Sequence, residues 1–239
     1  MSPSSLLVLL HGALLDRGSM LQLAPHLPER HLLLCPDLAC HGQRRSQSEP
    51  LGSLSPYALA VDLYYRLPLQ RLAATLPLHL VGHSLGGLVA LELQQLLHAG
   101  GGGAASVVLG DSPLCINLDT PSQHAAATAM ADDPVGQRLA RNVFFEFAPH
   151  NPASGFDSPY LQRLRQGSQQ LPIHLLHGLL PQHQRQDGRG DCGTFLSEVS
   201  LNRIRSQCPD VQLHLIRDAG HFVFHSQAGL ARLLRCLSA

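Results

Sequence analysis

Apolar runs long enough to cross a membrane are missing from this sequence. No stretch reaches the roughly 18 residues that a spanning helix needs, so no membrane partner is expected. Charge is scarce and balanced. Charged residues make up 14% of the chain, with 17 Lys plus Arg against 17 Asp plus Glu. No basic run is long enough to track phosphates, so nucleic acid is not an expected ligand. The six cysteines (Cys35, Cys40, Cys115, Cys192, Cys208 and Cys236) are scattered along the chain. None forms a Cys-x-x-Cys pair, which leaves buried reduced thiols as the reading and argues against a disulfide framework.

Metal and cofactor signatures are missing as well. The chain has 15 histidines, yet no His-Glu-x-x-His and no paired Cys/His spacing occurs. His174 and His177 stand on a strand at a separation that puts them on opposite faces, and His183 lies in a loop with Asp187. They read as structural or surface histidines, and neither a metal nor a cofactor is expected. The glycine run at 100–103 follows a helix and precedes a strand, the reverse of the order a phosphate loop requires. The opening segment through His11-Gly12 carries no positive n-region, too short an apolar run and no small-residue cleavage site. A soluble cytoplasmic protein is therefore the expectation. No internal repeat is visible.

What is present suffices for one domain with a continuous core, 239 residues of which 44% are hydrophobic. Short apolar runs at 6–10, 32–35, 78–81, 107–109, 173–176 and 211–216 alternate with segments of helical period. Helical candidates are 19–27, 56–74, 85–97, 194–207 and 227–237. That alternation predicts a mostly parallel sheet of about six strands with helices on both faces. The rhythm breaks over 113–171, where helical pieces occur without a convincing strand. We read 1–112 and 172–239 as the core and 113–171 as a small helical cap, because Val143-Phe144-Phe145-Glu146-Phe147 is too apolar to leave in water.

Three segments carry chemistry. Gly82-His83-Ser84-Leu85-Gly86 is a Gly-x-Ser-x-Gly between a buried strand and an apolar helix. A serine hydroxyl is a weak nucleophile, so it must stand on a sharp turn where a base reaches it. Gly82 and Gly86 leave room for that turn. The helix that follows aims its first N–H groups and positive dipole end at the reacting oxygen. His11-Gly12 directly follows the first strand. Acyl transfer needs two oxyanion donors, and the N–H groups of Leu85 and Ala13 are the candidates. Ala219-Gly220-His221-Phe222 lies after the last strand, on a loop expected at the same sheet edge as Ser84, which makes His221 the candidate base.

These motifs resemble those of the α/β-hydrolase fold family, over nearly the whole chain. Pro36-Asp37-Leu38-Ala39-Cys40-His41-Gly42 through Ser46 is similar to the family's Asp-Leu-x-x-His-Gly-x-x-Ser loop, in which Asp37 and His41 hold backbone. The resemblance implies an α/β-hydrolase fold, but without the antiparallel strand pair that usually precedes the His-Gly strand. It also implies a triad acid just after the penultimate strand. There, Leu176-His177-Gly178 is followed by no carboxylate at the family's usual offset. The long loop beyond offers Asp187 and Asp191. Leu109-Gly110-Asp111-Ser112-Pro113, after the preceding strand, offers the position that other members of the family use. Asp111 is the first choice, and Asp191 and Asp187 stay open.

The activity this implies is hydrolysis of a carboxylic ester or thioester by an acyl-enzyme of Ser84, His221 and Asp111. Phe144, Phe145, Phe147 and Phe156 are candidates for an acyl pocket or for the cap's own core. Arg138, Arg141, Arg163 and Arg165 are candidates for a basic face toward an acyl carrier protein. Ser112-Pro113-Leu114-Cys115 is similar to the pimeloyl-carrier methyl ester esterases, which points to a small-molecule or carrier-linked acyl ester. Carbon–carbon cleavage, lyase or acyltransferase chemistry on the same fold, or non-catalytic ligand binding, are the alternatives.

Overall fold

The computed structural model describes residues 3–45, 54–115, 128, 130–140, 159–180, 183–184, 190–191 and 193–238. Each of the six apolar runs is a strand: β1 (Ser5–Leu10), β2 (His31–Leu34), β3 (Leu78–His83), β4 (Ser106–Gly110), β5 (Ile173–Gly178) and β6 (Gln212–Ile216). They form one sheet in the order β2-β1-β3-β4-β5-β6. All five pairings are parallel.

A strand buried on both faces sends alternate side chains to opposite cores. Leu6, Val8 and Leu10 join one core cluster and Leu7 and Leu9 the other. All of these are fully buried. Each contributes about 1.5–3 kcal/mol of transfer free energy, as an upper bound.

Helices supply the covers. The first cluster packs under α2 (Pro56–Arg66), α4 (Leu85–Ala99), α6 (Pro159–Ser168) and α7 (Glu198–Gln207), and α2 and α4 lie directly against each other. Short α3 (Leu69–Ala73) follows α2 on that side. The second cluster packs under α1 (Arg17–Leu21) and α8 (Gln227–Cys236). Of the segment between β4 and β5, α5 (Pro134–Ala140) is held at its start by Asp133, whose Oδ1 accepts the N–H groups of Val135 and Gly136 at 2.9 and 3.0 Å. Asp133 also pairs with Arg45 of the loop after β2. The other helix of that segment, α6, packs on α4 and β5. Among the described residues no helix is long and apolar enough to cross a membrane.

The expected helix over 56–74 is two helices. Leu67 is extended at φ −104°, ψ 141°, which is what the ring of Pro68 imposes on the residue before it. The expected helix over 194–207 starts at Glu198, where Ser197 caps it by accepting the N–H of Ser200. Residues 194–196 are thereby freed to wall the site.

Candidate active site

The sheet register brings the site together at the carboxyl ends of the strands. His83 stands opposite Gly110, and Gly110 opposite Leu176. One step further along these strands come Ser84, Asp111 and His177. The ladder continues to them: the Ser84 N–H donates to Gly110 O and the Asp111 N–H to Leu176 O, both at 2.8 Å. Ligand sites of open parallel sheets form at this edge.

Ser84 turns the chain from β3 into α4 with φ 52°, ψ −120°, a conformation that costs a non-glycine residue about 1–3 kcal/mol. The surrounding glycines make it possible. A Cβ on Gly82 would lie 2.3 Å from Gly86 O, and one on Gly86 would lie 2.2 Å from Leu10 O. Leu14 and Asp111 share the positive φ, at 58° and 40°. Such strain clusters at functional sites because the rest of the fold must hold it in place.

The loop after β1 is fixed by His11. Its ring is fully buried, Nδ1–H donates to Gly12 O at 2.9 Å, and Nε2 accepts the Leu38 N–H at 3.0 Å. Burial pushes His11 down to about 4 against the opposing bond to Gly12, so the ring is neutral and its tautomer is set by those two partners. Asp37 holds backbone as expected, accepting the Arg17 and Gln43 N–H groups at 2.8 and 3.0 Å. His41 does likewise, donating from Nδ1 to Ala39 O at 2.8 Å. Ala13, between Gly12 and strained Leu14, lines the same cavity as Ser84 and Leu85.

Asp111 is fully buried and surrounded by donors. Oδ2 accepts from His221 Nδ1 at 2.7 Å and from the Phe195 N–H at 2.9 Å. Oδ1 accepts from His177 Nδ1 at 3.0 Å and from the Thr194 hydroxyl at 2.8 Å. Burying a carboxylate costs several kcal/mol, whereas each hydrogen bond to a charged group returns about 1.5–3 kcal/mol. Burial raises the Asp111 carboxyl, but the bonds from His177 and His221 outweigh it and hold the group well below the usual carboxylate range. Asp111 is therefore an anion at neutral pH.

His221 reaches the site on a loop tied to the end of β5: Leu179 and Leu180 donate to Ile216 O and Ala219 O at 2.9 and 2.8 Å. His83, next to Ser84 in the chain, tightens this junction. Its ring lies 4.6 Å from the His221 ring, and its Nε2–H donates to the His221 carbonyl at 3.0 Å. Burial, aided by neighbouring His221, pushes His83 down to about 3, so it stays neutral. Phe195 bridges the two sides: its ring centre is 4.4 Å from that of His221, and it shares a cavity with Ser84. The described residues bordering that cavity are Ala13, Ser84, Leu85, Pro113, Met130, Leu139 and Phe195, around a space of about 20 Å³, enough for a water molecule. Ser84 carries the one hydroxyl among them.

Of the candidate acids, Asp111 meets His221. Asp187 and the side chain of Asp191 lie outside the described residues, although the backbone of Asp191 joins a short antiparallel ribbon with His183. Phe144, Phe145, Phe147, Phe156 and Arg141 also lie outside the described residues. Arg138 and Arg165 are exposed, whereas Arg163 pairs with buried Glu92 at 3.3 Å. Sequence reasoning missed three contributors: His177, His83 and the Thr194–Phe195 pair. Only His83, the x of Gly-x-Ser, had a motif position that marked it.

A six-stranded parallel sheet with a serine turn after β3 and a carboxylate–imidazole pair across the crevice defines a class of fold, and the likeness extends to known proteins. The chain matches the Alpha/beta hydrolase family over residues 7–233 and belongs to that family. Solved structures similar over almost the whole chain include olei00960, a hydrolase from Oleispira antarctica (TM-score 0.68, 16% identity, 98% of this chain and 90% of that one). Another is the RedJ thioesterase of the prodiginine pathway in Streptomyces coelicolor (TM-score 0.62, 15% identity, 98% and 89%). At such identities the likeness is one of fold. The magnesium-chelatase 30 kDa subunit of Rhodobacter capsulatus is 38% identical over 87 residues, 36% of this chain and only 29% of that relative.

Proposed function

We propose that this chain hydrolyses carboxylic esters or thioesters through a covalent acyl-enzyme, with Ser84 as nucleophile, His221 as base and Asp111 as the acid that orients it. The observation that carries the reading is the 2.7 Å bond from His221 Nδ1–H to the buried Asp111 carboxylate. A carboxylate only accepts, so the proton sits on Nδ1 and the lone pair of the neutral ring is on Nε2. In the first step Nε2 takes the Ser84 hydroxyl proton as Oγ attacks the substrate carbonyl. The N–H groups of Ala13 and Leu85 hold the oxyanion. Asp111 stabilises the imidazolium, which then returns its proton to the leaving alcohol or thiol. Water attacks the acyl-serine by the same route and frees the acid. The oxyanion donors and the base are each expected to contribute a few kcal/mol of barrier lowering.

The apolar side chains beside Ser84 favour an uncharged acyl group, for which they must part. Within this reading, a carrier-linked methyl ester with acyl carrier protein as partner is the narrower substrate, drawing on exposed Arg138 and Arg165. A comparison of the free and carrier-linked forms of one acyl ester tests that step. Higher kcat/KM for the carrier form, reduced by R138E and R165E, supports it; equal rates refute it. The broader reading is tested by Ser84→Ala. Loss of turnover of short p-nitrophenyl esters is expected. Labelling of Ser84 by a fluorophosphonate with no ester turnover would move the reading to acyl transfer or carbon–carbon cleavage on the same pair.

A further inference from the structure

On the face of the sheet covered by α8, two imidazoles and a thiol converge without any part in the site above. The ladder sets His214 of β6 opposite Leu176 of β5, and alternate strand residues share a face. His174 and His214 therefore project to one side. Their rings stack with centroids 5.5 Å apart and planes 18° from parallel. His174 Nδ1 is 3.2 Å from His214 Nε2, and Cys236 Sγ, in the last turn of α8, is 3.9 Å from the same Nε2. All three ligand atoms lie within 4.8 Å of one another. His174 and Cys236 are buried and His214 partly so.

These separations suit one tetrahedral ion. With Zn–N near 2.0–2.1 Å and Zn–S near 2.3 Å, tetrahedral angles place two nitrogens about 3.3 Å apart and nitrogen from sulfur about 3.6 Å. The nitrogens are already at that spacing, and the sulfur, 3.9 Å from His214 Nε2 and within 4.8 Å of the His174 nitrogen, closes on the ion by a shift of up to about 1 Å, which a χ1 adjustment of Cys236 supplies. We propose that His174, His214 and Cys236 form a zinc(II) site, with water as fourth ligand, that ties the C-terminal helix to the edge strand of the sheet. The His-x-x-His spacing of 174 and 177 was uninformative because the partner of His174 comes from the neighbouring strand.

The protonation states agree with this chemistry. Burial and nearby Arg232 keep His174 and His214 neutral, the form that ligates. Burial raises the Cys236 thiol, while Arg232 and Arg235 favour its thiolate. Loading thus releases one proton, from Sγ to solvent, as the Zn–S bond forms; both imidazoles donate lone pairs and lose nothing. Two imidazoles and a thiolate, with no carboxylate among the three, suit zinc over magnesium or calcium, which take oxygen ligands.

The test is titration of the untagged 239-residue chain with cobalt(II), followed by displacement with zinc(II). One equivalent per chain should produce tetrahedral visible bands and thiolate charge-transfer absorption, both removed by zinc. Cys236→Ser should abolish the charge-transfer band. His214→Ala, a change at a partly exposed edge-strand position, should weaken zinc binding by about tenfold or more, since even outer partners of a metal ligand are worth 10–100-fold. Ester turnover by both variants should match the parent chain, because neither residue belongs to the hydrolytic site. Absence of stoichiometric uptake by the parent chain, or uptake unchanged in His214→Ala, overturns the proposal. If Cys236→Ser does not fold, His214→Ala decides alone.

Discussion

His177 and His221 address the two oxygens of one carboxylate, with Nδ1–Oδ1 at 3.0 Å and Nδ1–Oδ2 at 2.7 Å on Asp111. The pair makes Asp111 the hinge of the account, and Asp111→Asn is the sharpest substitution there. An amide can present N–H to His221 and favour the wrong tautomer. The comparable change in a serine–histidine–aspartate triad costs about 10⁴ in kcat. A loss of roughly 10³–10⁴ in ester turnover is expected for Asp111→Asn with the fold retained by circular dichroism. Asp191→Asn should stay near the parent rate. A reversed order would place the acid at 191.

Acid should unfold the protein earlier than its neutral net charge suggests. Asp111 is depressed from 3.8, so its stabilising effect is complete above that value and is lost as pH falls below it. His11 and His83 act higher, being lowered from 6.5 to about 4 and about 3. The unfolded chain takes up protons that the folded chain refuses. Stability therefore falls as pH drops below 6.5, and the His11 contribution levels off near 4. Urea midpoints should decline steadily from about pH 7 to about pH 4.5, at up to ~1.4 kcal/mol per pH unit for each such proton. A flat profile across that range would contradict the buried neutral imidazoles.

The serine turn has no room for a methyl group. An added Cβ at Gly86 would sit 2.2 Å from the Leu10 carbonyl oxygen, whereas Gly103 has nothing within 4 Å. Gly86→Ala should cost about 1–3 kcal/mol or more, as overpacking does, and should reduce activity by shifting the start of α4. Gly103→Ala should remain within about 0.5 kcal/mol of the parent protein. Chemical denaturation of both variants checks the contrast.

Cavity size should set chain length. Leu139 and Met130 border the space beside Ser84, so Leu139→Ala should move the preferred p-nitrophenyl ester toward longer acyl chains. One methylene in an apolar pocket is worth about 1–3 kcal/mol. The hexanoate-to-acetate ratio of kcat/KM should therefore rise by roughly tenfold. No change in that ratio would mean that acyl groups bind elsewhere.

The six strands were legible because each is a short run rich in Leu, Val or Ile, bounded by turn residues, even where, as in β6, one face carries Gln212 and His214. Ser84, His11 and His221 were legible because a motif marks where each follows a strand. The break at Leu67 was written in Pro68 and overridden by the apolar period around it. His177 and His214 were not legible. Periodicity tells which face a strand residue takes, but the neighbour it meets depends on inter-strand register, here Gly110 opposite Leu176 and Leu176 opposite His214. The family resemblance narrowed the acid to three aspartates by their place after a strand; the loop after β4, with Asp111 at φ 40°, is what turns the Asp111 carboxylate toward the imidazole, and no sequence pattern shows that conformation.

The most direct test of the hydrolase account is active-site labelling with a fluorophosphonate, read by peptide mass spectrometry alongside the loss of ester turnover. The account predicts one phosphonyl group per chain on Ser84, with turnover lost in proportion, and no labelling in Ser84→Ala or, at matched exposure, in His221→Ala. Labelling at another serine, or full ester turnover by Ser84→Ala, would contradict it.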